Sequence, residues 1–374
     1  MKKVNLLLTF ALFILMAGNV ANTAFAYTEP EISAGGAVLM EVETTKVLYA
    51  LSPHERLPMA STTKIMTALV AIENSEPDDM VEVPDIAFGA EGSSMYLKRG
   101  EMLSMEDLLY GLMLTSGNDA AIAIAVHVGG SVEGFAKMMN ARAKSIGAFN
   151  TNFVNPNGLP DSKHYTTAYD LTLIAAEALK NPEFAKITGT KTYKTKTGDY
   201  IRWLKNKNKI LSQYDGGTGV KTGYTKQAGK CLVFSAQKGN MHLVGTVLDC
   251  GEMFPSAMDL LDFGFNNFSP YTVMSKGDDS LNINVRNGLK NKLALTVKQD
   301  IIVPAENGTV PDIDIHIKVN KTVDAPVRKY DRMGALEIYD NGRLLLTVPL
   351  YAADDVLQRD YIYYLKRLLN FWAA

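Results

Sequence analysis

Apolar and polar positions change their period several times along the chain. Gly36 to Glu41 and Lys46 to Ala50 are apolar-rich runs bracketing Glu43-Thr44-Thr45, which predicts a β-hairpin. Ser61 to Glu73 carries Ile65, Met66, Leu69, Val70 and Ile72 on a broad helical face, with Pro58 just upstream, so a helix is expected to begin near residue 61. Helical spacing recurs over Met105 to Met113, Asp119 to Val128, Val132 to Ile146 and Ala168 to Lys180, the last stopping at Asn181-Pro182. Strands resume near residue 200 and end with Cys231 to Ala236 and His242 to Leu248, joined through Lys238-Gly239-Asn240. A helix near Ser256 to Phe263 follows.

From about residue 275 the alternation becomes strict. Leu281, Ile283 and Val285, then Leu293, Leu295 and Val297, then Ile313, Ile315, Ile317 and Val319, and finally Leu344, Leu346 and Val348 all alternate with polar neighbours. Asn341-Gly342 is a strong hairpin turn. A small all-β domain, a sandwich over 273–350, is predicted. The final segment, 354–374, places Val356, Tyr361, Leu365, Leu368 and Trp372 at helical spacing opposite Arg359, Lys366, Arg367 and Asn370. Such an amphipathic helix either docks on its own domain or lies in a membrane interface. Its cationic and aromatic side chains favour the membrane surface.

The first residues set the expected compartment. Met1-Lys2-Lys3 is basic, Val4 to Ala17 is apolar, and Ala24-Phe25-Ala26 is a small-x-small site, so residues 1–26 read as a signal peptide. The apolar run is shorter than the roughly 20 residues that span a bilayer, leaving an uncleaved anchor as the alternative. The expected location is outside the cell's inner compartment, on the outer face of the cytoplasmic membrane.

With 374 residues, 47% of them hydrophobic and 21% charged, the composition is globular and sufficient for about two domains. A formal net charge of -2 provides no overall field for nucleic acid, and no nucleic-acid partner is expected. Two cysteines cannot frame so long a chain with disulfides; whether Cys231 and Cys250 pair stays open. The five histidines include no pair at ligand spacing and no HExxH, and GxSxG and Walker patterns are absent. No metal or cofactor is expected.

Three short stretches carry candidate chemistry. Ser61 and Lys64 stand three apart at a helix start, where a neutral amine one turn away can take a hydroxyl's proton. Taken alone, Ser at a helix start is usually an N-cap, and Ser235 to Lys238 repeats the pattern. Ser116 and Asn118, in a connection between helices, can direct a hydroxyl and an amide into one cleft, although a capping turn explains them equally and Ser280-Leu281-Asn282 shows the same spacing. Lys221-Thr222-Gly223 offers a cation and a hydroxyl beside a glycine, which suits a substrate carboxylate. Its decoy is Lys196-Thr197-Gly198; the later copy is preferred for its glycine-rich lead-in and the apolar strands that follow.

Together these stretches resemble the signature of the penicillin-recognising serine enzymes. Glu55 to Ser61, Ser116-Gly117-Asn118-Asp119-Ala120, Asn157-Gly158-Leu159, His164 to Asp170 and Gly219 to Thr225 are similar to the low-molecular-weight D-alanyl-D-alanine carboxypeptidases over nearly the whole chain. The resemblance implies an α/β (α+β) fold in which helices and a helical subdomain flank an antiparallel sheet, with the catalytic domain over 27–272. It implies peptidoglycan stem pentapeptide as substrate and β-lactams as inhibitors. It also implies roles: Ser61 as nucleophile, Lys64 as base and Ser116 as proton relay. Asn118 would hold the acyl side, Lys221 and Thr222 would face the carboxylate, Gly223 and Tyr224 would line the substrate beside them, and the backbone N–H groups of Ser61 and Tyr224 would form the oxyanion hole. One departure stands out. Asp249 to Pro255 contains none of the arginine that many relatives carry there. A β-lactamase would need a general-base glutamate, for which Glu177 is the nearest candidate, and a wall-binding protein without turnover would need neither Ser61 nor Lys64.

Overall fold

The computed structural model describes residues 29–373, so the expected signal peptide at 1–26 lies outside the described residues. Five strands form one antiparallel sheet: β1 (Gly36–Glu41), β2 (Val47–Leu51), β3 (Gly217–Thr225), β4 (Gly229–Lys238) and β5 (Met241–Leu248), in the order β2-β1-β5-β4-β3. Strand β1 is buried along its whole length because both faces are covered. Val38 and Met40 belong to the core beneath the helices, whereas Leu39 and Leu243 face Gly264 of a helix on the other side. An uninterrupted apolar run is what such a position requires.

The helices are α1 (Lys64–Asn74), α2 (Met105–Tyr110), α3 (Asn118–Gly129), α4 (Val132–Ile146), α5 (Ala168–Leu179), α6 (Pro182–Gly189) and α7 (Met253–Asn267). Helix α1 is the centre of the core: Lys64 to Ala71 are all buried, so no polar face remains. The predicted helix over 105–113 stops being regular at Tyr110 and continues as a wider π-type turn, Gly111–Thr115. Helix α5 packs on β1 and β5, with the Thr172 hydroxyl donating to Thr246 Oγ1 at 2.8 Å. Cys231 and Cys250 are both buried thiols and do not pair.

The second domain is all β: β6 (Phe268–Met274), β7 (Leu281–Arg286), β8 (Lys292–Thr296), β9 (Ile301–Glu306), β10 (Ile313–Val319), β11 (Thr322–Asp324), β12 (Arg332–Asp340) and β13 (Arg343–Ala352). Six strands form one sheet in the order β10-β12-β13-β8-β7-β11, and β6 pairs with β9. Strand β6 crosses the expected boundary at 273, since the chain turns directly from α7 into it. The Asn341-Gly342 turn has positive φ at both residues, as a tight hairpin demands. Its tip reaches back to the first domain. Lys46 Nζ lies 2.9 Å from Asp340 Oδ2, and Arg343 Nη2 donates to the Thr45 carbonyl at 3.2 Å.

The terminal helix α8 is Tyr361–Ala373, shorter than the 354–374 expected. Val356 does not join its apolar stripe. It bridges Val327 and is buried in the β domain, so the alternation of the sheet extends further than the helical spacing indicated. On α8, Tyr361, Ile362, Tyr364, Leu365, Leu368, Leu369 and Trp372 are exposed. Docking of this face on its own domain is therefore not what the structure has. Among the described residues, no helix is long and apolar enough to cross a membrane.

Candidate active site

Ser61 sits on a 3-10 turn, Ala60–Thr63, immediately ahead of α1. Its side chain is not a cap, since α1 has no side-chain cap hydrogen bond. The turn is pinned by its own hydroxyls, Thr62 Oγ1 donating to Met59 O at 2.5 Å and Thr63 Oγ1 to Ala60 O at 2.8 Å. Ala60 takes a positive φ of 48°, an uncommon conformation for alanine. Gly158 explains how the chain packs there: a Cβ on it would stand 2.0 Å from Ala60 O and 2.9 Å from Ser61 N, at a φ of +87°.

Lys64 is fully buried, and its amine has three polar neighbours. Nζ donates to Asn157 O at 2.6 Å and Asn118 Oδ1 at 2.7 Å, and lies 3.0 Å from Ser61 Oγ. Burial pushes this amine well below the ordinary lysine range, and the positive charges of Lys221 and then Lys207 push in the same direction, against Asp119. Two neighbours are pure acceptors, so a neutral Nζ that gives its two N–H groups to them has its lone pair left for Ser61 Oγ.

Ser116 and Asn118 follow the π-type turn. Ser116 is left-handed at φ 65°, and its buried Oγ has no hydrogen-bond partner. Asn118 ties the wall together, with Oδ1 on Lys64, Nδ2 donating to Glu91 O and its backbone N–H donating to Ser93 O at 2.7 Å. The buried Asp119 carboxylate holds the same wall by accepting from the Ser94 hydroxyl at 2.6 Å and from the N–H groups of Met95 and Leu97. Arg202 completes it. Paired with Glu101 at 2.7 Å, it donates to Met95 O and Tyr96 O.

Lys221, Thr222, Gly223 and Tyr224 lie on β3, an outer strand of the sheet. Gly223 backs directly onto the Ser61 turn, since a Cβ there would meet Met59 O, Ser61 N and Thr62 N, each at 3.1 Å. Lys221 is buried, with Nζ donating to Thr222 O at 3.0 Å. Burial, and secondarily the charge of Lys207, lower its pKa to about 7. Thr222 is half-buried and the Tyr224 side chain is 65% exposed.

The decoys serve other ends. Lys196 and Thr197 direct their N–H groups, and Thr197 its hydroxyl, to the buried Asp107 carboxylate. Ser235 is inside β4 against Thr218, and Ser280 precedes β7. Glu177 accepts from Arg142 Nη2 at 2.9 Å, in a network with Glu73 on the helices.

Residues 23–251 match the family model described as D-alanyl-D-alanine carboxypeptidase, and residues 268–358 match that of the penicillin-binding protein 5 C-terminal domain. The chain belongs to the D-alanyl-D-alanine carboxypeptidase family. It is 35% identical to the D-alanyl-D-alanine carboxypeptidase DacF of Bacillus subtilis over 98% of each chain. It is 30% identical to DacA of Haemophilus influenzae, over 95% of this chain and 93% of that one. The crystal structure of penicillin binding protein 5 from Haemophilus influenzae superposes with a TM-score of 0.71 at 30% identity, covering 89% of this chain and all of that one.

The fold thus joins Ser61, Lys64 and Asn118 by hydrogen bonds and sets Gly223 against them. It also shows parts of the site that sequence reading did not single out: the Asn157 carbonyl, Asp119, His164 and Lys207. A carbonyl carries no signature in residue type. Asp119 lay beside Ser116 and Asn118 without being assigned a role, and His164 lay inside a stretch that drew notice only through resemblance.

Proposed function

We propose that this protein is a serine-type D-alanyl-D-alanine carboxypeptidase that removes the terminal D-alanine of peptidoglycan stem pentapeptides and is acylated by β-lactams. The observation that carries the reading is the fully buried Lys64 amine, 3.0 Å from Ser61 Oγ and otherwise enclosed by two acceptors. In its neutral form this amine takes the Ser61 proton as Oγ attacks the carbonyl between the two D-alanines. The developing oxyanion is met by the N–H groups of Ser61 and Tyr224, and the close approach of Gly223 to Ser61 N supports that arrangement. Ser116, whose buried hydroxyl lacks a partner, relays the proton held by Lys64 to the leaving amine, so that Ser116 keeps its hydroxyl and Lys64 returns to its neutral form, and Asn118 positions the acyl side. Lys221 and Thr222 receive the carboxylate. Water, activated by Lys64, then breaks the Ser61 ester and frees the tetrapeptide.

The outward edge of β3 suits an extended peptide, because an outer strand has unpaired backbone groups to offer. The exposed apolar side chains of α8 support a peripheral attachment to the membrane surface, and the pattern of residues 1–26 supports export to the outer side of that membrane. Pairing of Glu177 with Arg142 leaves it unsuited to activate a water for rapid turnover of penicillin.

The test is incubation with an acyl-D-Ala-D-Ala peptide and, separately, with benzylpenicillin, using wild type and Ser61→Ala. Free D-alanine and a long-lived penicillin adduct are expected from wild type, and neither from the variant. Rapid penicillin turnover would mean a lactamase. A labelled Ser61→Ala protein would remove Ser61 as the nucleophile.

A further inference from the structure

Three exposed aromatic residues of the first domain meet at one guanidinium. Arg202 Nη2 donates to Tyr96 O at 2.9 Å and Nη1 to Tyr200 O at 3.1 Å, and Trp203 is the next residue in the chain. Arg202 is itself fixed, paired with the buried Glu101 at 2.7 Å and donating through Nε to Met95 O at 2.8 Å. The three side chains are nonetheless 79%, 55% and 76% exposed, although a large ring left in water forfeits the gain of burial. Tyr96 also holds a left-handed backbone, φ 63°, which is uncommon for a bulky residue and persists only where its surroundings impose it.

The surface they form is rigid and joined to the cleft. Trp203 belongs to a short hairpin in which Thr192–Lys194 pairs with Trp203–Lys205. On its inner face Tyr193 stacks on Tyr110 with ring centres 3.6 Å apart and donates its hydroxyl to Asp107 at 2.8 Å, opposite the buried Leu204. Lys194 and Trp203 pair on the outer face, the ammonium 5.4 Å from the ring centre, and Lys205 is exposed two residues further on. Tyr96 lies three residues beyond Ser93, whose carbonyl receives the N–H of Asn118, the residue that contacts Lys64. The exposed rings therefore lead from the wall of the cleft onto the hairpin.

We propose that Tyr96, Tyr200 and Trp203 form a platform for the sugar strand of peptidoglycan, so that the polymer is held by its glycan while a stem peptide enters the cleft. This rests on the carboxypeptidase reading. A pyranose has an apolar face and a polar rim, so it can cover one aromatic ring while its hydroxyls reach water or an ammonium. A protein partner fits this surface less well, because lysines, which are depleted in protein interfaces, stand among the rings. The ammonium groups of Lys194 and Lys205 also complement a polymer whose stem peptides carry carboxylates.

The experiment compares the full chain with Trp203→Ala and Trp203→Phe on two substrates, uncross-linked glycan strands bearing pentapeptide stems and the free pentapeptide. For Trp203→Ala, KM on the strands should rise about tenfold at unchanged kcat, as for loss of one stacked aromatic contact. On the free pentapeptide, which also reports the fold, kcat/KM should change by less than about twofold, and Trp203→Phe should keep most of the activity on strands. Glycan stripped of its peptides should bind the Ser61→Ala chain and be lost when Trp203→Ala is added. Equal losses on both substrates, no loss on either, or failure of the stripped glycan to bind would overturn the platform while leaving the carboxypeptidase reading intact. Wild-type protein that releases D-alanine from neither substrate would overturn that reading, and the binding measurement on Ser61→Ala would still decide the platform.

Discussion

The ring of His164 donates through Nε2 to the hydroxyl of Thr63, 2.8 Å away. The direction is fixed because Val154 N–H donates to His164 Nδ1 at 3.1 Å, which makes Nε2 the protonated nitrogen of a neutral ring. Thr63 passes its own proton to Ala60 O at 2.8 Å. A hydrogen-bonded chain therefore runs from residue 164 to the carbonyl just before Ser61, at the position where the backbone is left-handed.

Acid stability should carry the mark of this ring. Burial pushes the His164 pKa from 6.5 down to about 4. Below pH 6.5 the unfolded chain binds a proton that the native ring refuses, so stability is complete above that value and is lost as pH falls toward 4. The total is about 3 kcal/mol. Urea unfolding at a series of pH values measures it. In His164→Gln, stability at pH 7 is lower but its decline between pH 6.5 and 4 is shallower.

Gly158→Ala should disable acylation. The new methyl would have to occupy space 2.0 Å from Ala60 O, at a positive φ, so the Ser61 turn must shift. The second-order rate of penicillin acylation should drop by at least about a hundredfold, as a misplacement of roughly 1 Å does elsewhere. Thermal unfolding of the same variant should show a loss of about 2 kcal/mol or more.

The pH dependence of turnover should be bell-shaped, since the proposed reaction needs Lys64 neutral and Lys221 charged. Burial, with the charge of Lys221 adding to it, pushes the Lys64 amine well below its usual range, so loss of its proton is assigned to the acid limb. Lys221, at about 7, sets the alkaline limb of kcat/KM in the free enzyme. A bound carboxylate favours the charged form of Lys221, so kcat should persist to higher pH than kcat/KM. Initial rates at saturating and limiting peptide across pH 5 to 10 measure both limbs.

Removing 361–373 should leave peptide turnover and melting temperature unchanged, because the apolar residues of α8 are exposed rather than packed. Sedimentation with anionic phospholipid vesicles should carry down the full chain and leave the truncated form in solution. Pelleting of the truncated form would end the membrane proposal.

Much of the fold was legible because buried elements write their period into the chain. The β1–β2 hairpin, helices α3 to α5 and strands β7, β8, β10 and β13 all lie close to where periodicity put them, whereas β9, β11 and β12 carried no alternation that singled them out. Periodicity failed where two regular structures meet. Val356 satisfied a helical stripe but serves a β bridge, and Tyr110 to Thr115 kept apolar spacing while the helical turn widened. In the site, the spacing of Ser61 and Lys64 already placed hydroxyl and amine one turn apart. The glycine-rich lead-in and the apolar strands that follow already favoured the later Lys-Thr-Gly copy, but what separates the two physically is their long-range partners: Asp107 binds the backbone of one, and the Ser61 turn abuts the other. Those partners lie tens of residues away in sequence.

The hairpin tip that returns from the β domain has a mechanical consequence. A single covalent connection after α7 would let two bodies swivel, but the contacts of Lys46 with Asp340 and Arg343 with Thr45 brace the joint at a second point. Were α8 to lie on lipid as proposed, a braced arm of this kind would act as a gauge, holding the cleft at one standing height so that the strands trimmed would be those threading past at that level.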